Sequence, residues 1–168
     1  MGLMIYVVMG VSGAGKTLIG KQLADALNLS FYDGDDFHPV ENVRKMESGQ
    51  PLNDEDRWPW LDELARNMDE WQQDDGGAVL ACSALKQSYR NHLRSSSNST
   101  LIFIYLKGSK ELIAQRLKKR EGHYMPADLL DSQFEALEEP RARDVITVSV
   151  DQSPEKIIRE IRKSLKAL

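Results

Sequence analysis

Residues 10–17 read Gly-Val-Ser-Gly-Ala-Gly-Lys-Thr and follow directly on an apolar run, Leu3–Met9. The spacing G-x-x-x-x-G-K-[ST] constrains the fold more than any other stretch. It needs a strand that ends in a curled loop and feeds a helix, because that arrangement turns successive main-chain N–H groups toward phosphate oxygens. Here the main chain of Gly10, Val11, Ser12, Gly13, Ala14 and Gly15 would form the cradle. Lys16 would reach the outer phosphates and Thr17 would offer its hydroxyl to Mg²⁺. A chance glycine-rich turn would have no reason to sit between a buried strand and an amphipathic helix. The chain is expected to bind a nucleoside triphosphate.

Downstream, apolar runs alternate with helical patterns. Strands are predicted at Leu3–Met9, Ser30–Asp33, Ala78–Ser83, Leu101–Leu106 and Val145–Val150. Most are apolar almost throughout, as strands buried on both faces are. Helices are predicted at Lys16–Leu27, Pro39–Ser48, Trp58–Gln73, Lys86–Arg94, Lys110–Lys119, Pro126–Leu137 and Pro154–Leu168. Such alternation implies an α/β domain, a parallel sheet with helices on both faces. Asp74-Asp75-Gly76-Gly77 reads as a turn and 95–100 as a polar loop. Residues 48–59 read as a longer loop, rich in carboxylates and tryptophan, of the kind that carries function. With 168 residues and no linker, repeat or low-complexity tract, one domain is expected.

Charge narrows the partners. The net charge is −4 and the two signs are interspersed, which gives no electrostatic case for nucleic acid or an anionic membrane. Cys82 is the sole cysteine, so no intrachain disulfide forms and a reducing compartment fits. Signal-like and bilayer-spanning segments are missing, and Tyr6 stands where a myristoylation motif wants Ser or Thr. A cytoplasmic protein is expected.

Three polar clusters follow the predicted strands. Asp33-Gly34-Asp35-Asp36-Phe37-His38 ends the second strand, at the sheet edge that carries the phosphate loop. Asp33 and Asp35 can face the γ-phosphate region together, one holding Mg²⁺ through water and one accepting a proton from a substrate hydroxyl. A solvated acidic turn is the plainer alternative, and Asp36 suits a helix cap better than its neighbours. Arg116 and Arg120 are four apart on one helical face before Gly122 and His123, an arrangement suited either to a phosphate-clamping lid or to a basic helix end. Ser83, Lys86, Tyr89 and Arg90 follow the third strand, where Lys86 and Arg90 bind an acceptor anion or line a solvated helix. The third strand ends in Cys82-Ser83, without the usual metal-binding aspartate, and no Asn-Lys-x-Asp guanine-reading motif exists. Both absences disfavour a GTPase switch or motor ATPase and favour a small kinase.

Together these segments closely resemble the gluconate kinases (gluconokinases), relatives of the shikimate and nucleoside-monophosphate kinases. The likeness runs through residues 10–17, 33–39, 48–61, 82–86, 89–90, 104–108, 116–125 and 133–140, nearly the whole chain. Pro51-Leu-Asn-Asp54 with Asp56-Arg57 and Pro59-Trp60, and Cys82-Ser-Ala-Leu-Lys86, are its most specific parts. The resemblance implies ATP- and Mg²⁺-dependent phosphorylation of D-gluconate at its 6-hydroxyl. It also implies a five-stranded parallel sheet, a mobile lid at about 117–137, an acceptor-binding segment at about 38–73, and a homodimer. By the same likeness Asp33 serves the metal and Asp35 engages the acceptor hydroxyl. Lys16, Arg116 and Arg120 act on the phosphates, Ser83 lies near substrate, and His38 and His123 either touch substrate or make structural hydrogen bonds. Arg57 is the candidate for the gluconate carboxylate, with Lys86 and Arg90 as rivals. Arg141-Ala-Arg-Asp144 departs from the family pattern and leaves adenine-side contacts near 151–154 unassigned. A kinase for another small acid such as shikimate, or a nucleotide-binding module without transfer activity, is the alternative.

Overall fold

A computed structural model describes residues 3–119, 127–141 and 145–168. Five parallel strands form its sheet in the order β2-β3-β1-β4-β5: β1 (Met4–Met9), β2 (Phe31–Asp33), β3 (Gly77–Ala81), β4 (Leu101–Lys107) and β5 (Val145–Ser149). The helices are α1 (Lys16–Leu27), α2 (Val40–Glu47), α3 (Asp54–Asp75), α4 (Gln87–Ser96), α5 (Lys110–Lys119), α6 (Ala127–Ala136) and α7 (Pro154–Lys166).

β1 is central and explains the continuous apolar run. Ile5, Val7 and Met9 pack with Trp60, Leu61, Leu64 and Met68 of α3 and Leu93 of α4. Tyr6 and Val8, on the other face, pack with Ile19 and Leu23 of α1, Ile113 of α5 and Ile157 and Ile161 of α7. Alternate side chains therefore enter two separate cores, and no position of the strand is left to be polar. At about 2 kcal/mol for each fully buried aliphatic side chain, these cores make the sheet a rigid mount for the loops at its carboxyl edge.

The predicted strands and helices all occur, most with ends shifted by a residue or two. Pro126 lies outside the described residues. The largest difference is the start of α3, expected at Trp58 and found at Asp54. Pro59 suggests a helix start, since proline is at home in a first turn. Instead Asn53 caps the Asp56 N–H while Asp56 accepts from the Asn53 N–H, a reciprocal capping box four residues earlier that leaves Pro59 inside the helix. The loop expected over 48–59 accordingly ends at Asn53, and Arg57 and Trp58 belong to a helix. The aspartates of Asp74-Asp75-Gly76-Gly77 complete α3, Gly76 ends it in a left-handed conformation, and Gly77 begins β3.

Candidate active site

The loop after β1 curls as its glycines permit. Gly13 and Gly15 have φ of +86° and +98°, a region that side chains strongly disfavour. At Gly13 space forbids a side chain as well, since a Cβ would stand 2.8 Å from Leu117 Cγ. Lys16 folds back over the loop, its Nζ donating to the carbonyls of Gly10 (2.8 Å) and Val11 (3.1 Å). Burial pulls its pKa down, while the carboxylates of Asp35 and Asp33 push it up. The cradle and the acidic pair therefore share one rim. Thr17 and Asp33 line the same open depression of about 330 Å³.

Asp33 ends β2 and caps the 3-10 turn Gly34–Phe37, its Oδ1 accepting from the Asp35 N–H at 3.0 Å. The cap is thus Asp33, where the sequence pointed to Asp36. Gly34 is required by close approach: a Cβ there would meet the Ala81 carbonyl oxygen at 2.8 Å. Trp60 of α3 pins the turn from the other side, its Nε1–H donating to the Gly34 carbonyl at 2.8 Å. Asp35 projects into the rim with its side chain 85% exposed. Loss of bulk water from the concave surface, then the charge of Asp33, raises its pKa, with His38 and Lys16 opposing.

His38 lies flat on Trp60, with ring centroids 4.3 Å apart, and its Nε2 is 3.9 Å from Asp35 Oδ1. Its other nitrogen, Nδ1, is 3.2 Å from the amide nitrogen of Asn42, a buried residue of α2. That amide also donates to the Asp56 carbonyl at 2.9 Å, which fixes which end of Asn42 is nitrogen. Nδ1 is therefore an acceptor, and the neutral ring carries its proton on Nε2, facing Asp35. Burial lowers the His38 pKa, against Asp35 and reinforced by Arg57. His38 offers the rim a donor and no base.

Beyond His38, α3 and α4 bring basic and aromatic groups together. Arg57 donates to the Leu52 carbonyl at 2.7 Å, with its guanidinium 5.4 Å from the centre of the Tyr89 ring. Lys86 Nζ and Tyr89 Oη both reach Asp54 Oδ1, at 3.3 and 2.5 Å. The Tyr89 hydrogen bond, then Lys86, hold the Asp54 carboxyl below the usual carboxylate range, with desolvation opposing. The field of Arg57 reaches His38 on one side and Tyr89 on the other, so it stands between the acidic turn and this cluster.

Arg90 is a correction. It is 1% exposed, and its guanidinium donates to the carbonyls of Ala84 (2.7 Å), Leu85 (3.1 Å) and Glu138 (2.7 Å) and to Gln87 Oε1 (3.1 Å). A substrate carboxylate cannot reach it. It instead secures the turn at Ala84, whose φ of +43° is strained for a residue with a side chain. That turn carries Ser83, whose carbonyl accepts from the Gly10 N–H at 3.3 Å, and Lys86. Arg116 donates to the Val150 carbonyl, which ties it to the end of β5. Arg120 and His123 lie outside the described residues, as does the middle of the expected lid.

The sequence reading missed Asn42, Asp54, Trp60 and Gln133. Gln133 bonds the phosphate loop, with the Ser12 N–H donating to its Oε1 at 2.7 Å. Trp60, Asp54 and Gln133 all sit in motifs quoted for the resemblance. Asn42 has only its place in the first turn of α2, four residues after His38, as a signal.

Among the described residues no cluster of three or more His, Cys, Asp or Glu could hold a metal ion, and no helix is long and apolar enough to cross a membrane. The Thr17 hydroxyl and Asp33 carboxylate are hard oxygen donors on one depression, a set that suits Mg²⁺ retaining its waters and bound phosphates.

A family model described as shikimate kinase matches residues 12–166. The chain is 46% identical to a probable gluconokinase of Xenopus tropicalis, over 94% of this chain and 91% of that protein. It is 44% identical to the thermoresistant gluconokinase of Escherichia coli K12, over 96% and 93%. The crystal structure of a gluconokinase from Sinorhizobium meliloti 1021 superposes with a TM-score of 0.88 at 43% identity, covering 98% of this chain and 93% of that one.

Proposed function

The chain belongs to the gluconokinase family, and on that footing we propose how its residues transfer the γ-phosphoryl group of ATP to the 6-hydroxyl of D-gluconate, giving 6-phosphogluconate and ADP. One observation carries the assignment of roles: Thr17 of the phosphate loop and Asp33 of the acidic turn line one depression.

Main-chain N–H groups of the loop 10–17 other than those of Gly10, Ser12 and Ala14, which are bonded within the protein, bind the phosphates, and Lys16 leaves the Gly10 and Val11 carbonyls to follow the charge on the migrating group. Thr17 and Asp33 would hold Mg²⁺. The metal supplies charge neutralisation between the phosphates when bound. Asp35 accepts the proton of the 6-hydroxyl and fixes its direction. Phosphoryl transfer depends mainly on positioning, so orientation counts for as much as basicity. His38 donates from Nε2 to an acceptor oxygen. Arg57, with Lys86 and Ser83 nearby, receives the carboxylate end. Arg116 and Arg120, with His123 in the lid segment 117–137, act on the nucleotide side. The segment 38–73 binds the acceptor.

The enzyme works in the cytoplasm, a reading that the lone buried thiol of Cys82 supports. It works as a homodimer. Val40, Val43 and Met46, exposed along one side of α2, support that, and light scattering tests it.

The decisive test is ADP release across a panel of aldonic acids and shikimate, with the phosphorylated carbon located by NMR. Gluconate phosphorylated at carbon 6 is the expected result. Preference for shikimate, or ATP binding without acceptor-stimulated release, overturns it.

A further inference from the structure

The segment 133–139, whose first residues end the proposed lid, runs from the phosphate loop to the start of α4, and no step above names a residue of it. Gln133 of α6 meets Ser12, 121 positions away in the chain, through two hydrogen bonds. The Ser12 N–H donates to Oε1 at 2.7 Å, and Nε2 donates to the Ser12 hydroxyl at 3.0 Å. A main-chain N–H only donates, so the side-chain amide has one permitted orientation and the pairing is specific.

The other end of the segment grips the acceptor edge. The Glu138 N–H donates to the Leu85 carbonyl at 2.8 Å, and the Glu138 carbonyl accepts from Arg90 at 2.7 Å. Its carboxylate accepts from the Gln87 N–H at 2.9 Å. α4 has no side-chain cap of its own at Lys86, so Glu138 supplies from a distance the anion its N-terminus lacks. Between these ends, Phe134 and Leu137 pack on the core that holds Ile113 and Leu117.

We propose that Gln133 is a positioning residue for phosphoryl transfer: through Ser12 it sets the phosphate cradle at a fixed distance from the edge that receives the acceptor. The inference rests on the phosphate-cradle reading above. Ser12 is the one cradle residue bonded from outside the loop by a side chain among the described residues. Once its N–H is taken by Gln133, the loop is held in one conformation before nucleotide arrives. Preorganisation of this kind shows as nucleotide affinity, because the free protein has already lost the competing loop conformations.

The test uses Gln133→Met, which keeps side-chain length and removes both polar atoms. Calorimetric titration of the free enzyme with ADP and Mg²⁺ is expected to show affinity about five- to fifteenfold weaker, the loss of one to two hydrogen bonds. The thermal midpoint should stay within a few degrees. Ser12→Ala, which deletes the hydroxyl bond alone, should cost about two- to fourfold in the parent and nothing further in Gln133→Met. Unchanged ADP affinity in the folded Met variant overturns the proposal, and so do independent effects of the two substitutions. If Gln133→Met does not fold, Ser12→Ala decides alone, and unchanged affinity there has the same force. The ADP titration needs no acceptor, so it stands even if gluconate is not phosphorylated. In turnover, Glu138→Ala is expected to raise the KM for gluconate with ADP affinity preserved.

Discussion

On the nucleotide side, the proposed contacts are main-chain N–H groups of one short loop within residues 10–17. Around Asp35 they are side chains drawn from the 3-10 turn, α2, α3 and the loop before α4. The first half needs only glycines at set intervals between a strand and a helix, and the sequence states that directly. The second half exists only once separate elements pack, so its members are read with less certainty from spacing. The difference predicts separable behaviour: acceptor-side substitutions change turnover or gluconate binding, while nucleotide binding keeps its strength.

The strongest test of that separation is Asp35→Asn. Amide in place of carboxylate keeps the shape and removes the proton acceptor, so kcat is expected to fall by about 10²–10⁴. The KM for ATP should stay within about threefold, because the cradle is untouched. Steady-state kinetics with each substrate varied decides it. An equal loss in both parameters would show that Asp35 belongs to the nucleotide half and would dissolve the comparison.

Legibility follows the same line. The alternating apolar runs gave the five strands and seven helices because burial on both faces leaves a continuous signature. The start of α3 differs because the Asn53–Asp56 pair that sets it uses asparagine and aspartate in place of the usual serine and glutamate. Arg90 was misread for a deeper reason. Its spacing of four from Lys86 is that of an exposed pair, but Lys86 sits outside the helix as its cap, and the turn at Ala84 draws the guanidinium inward. Nothing in a local window distinguishes an arginine that binds substrate from one that binds three carbonyls.

That reassignment gives the next expected effect. Arg90→Met leaves the carbonyls of Ala84 and Glu138 without their donor and takes one of two from Leu85, and stability should fall by about 3 kcal/mol in denaturant unfolding. At a temperature where the variant is folded, ATP binding should be unchanged. A stable variant with a large rise in gluconate KM would return Arg90 to the substrate site.

Arg57→Ala is expected to be milder. A half-exposed guanidinium that shares its charge with water contributes about 1–2 kcal/mol to a carboxylate, so the KM for gluconate should rise about tenfold, with that for ATP spared. If Arg57→Ala leaves gluconate unaffected while Lys86→Ala raises its KM, the carboxylate lies on the α4 side, and the acceptor half is sharpened rather than broken.

The smallest expected effect concerns His38 and reads the acceptor half through pH. Its folded pKa lies below the ordinary 6.5, from burial first, with Arg57 adding and Asp35 opposing. Below that pH the unfolded chain takes up a proton that the native protein resists. Stability from this group is therefore complete above pH 6.5 and is lost as pH falls through the window beneath it. Asp35 has the opposite sign, since its raised pKa lets the native state keep a proton that the unfolded chain releases above pH 3.8. The two are separated by His38→Gln, which retains a donor near the Nε2 position and cannot titrate. The parent's thermal midpoint should fall more steeply than the variant's between pH 6.5 and 5. ¹⁵N spectra of the parent should show the Nε2–H tautomer, and Asn42→Leu should release it. A ring protonated on Nδ1 at neutral pH would mean that the Asn42 amide does not govern His38, and that the donor facing Asp35 has another origin.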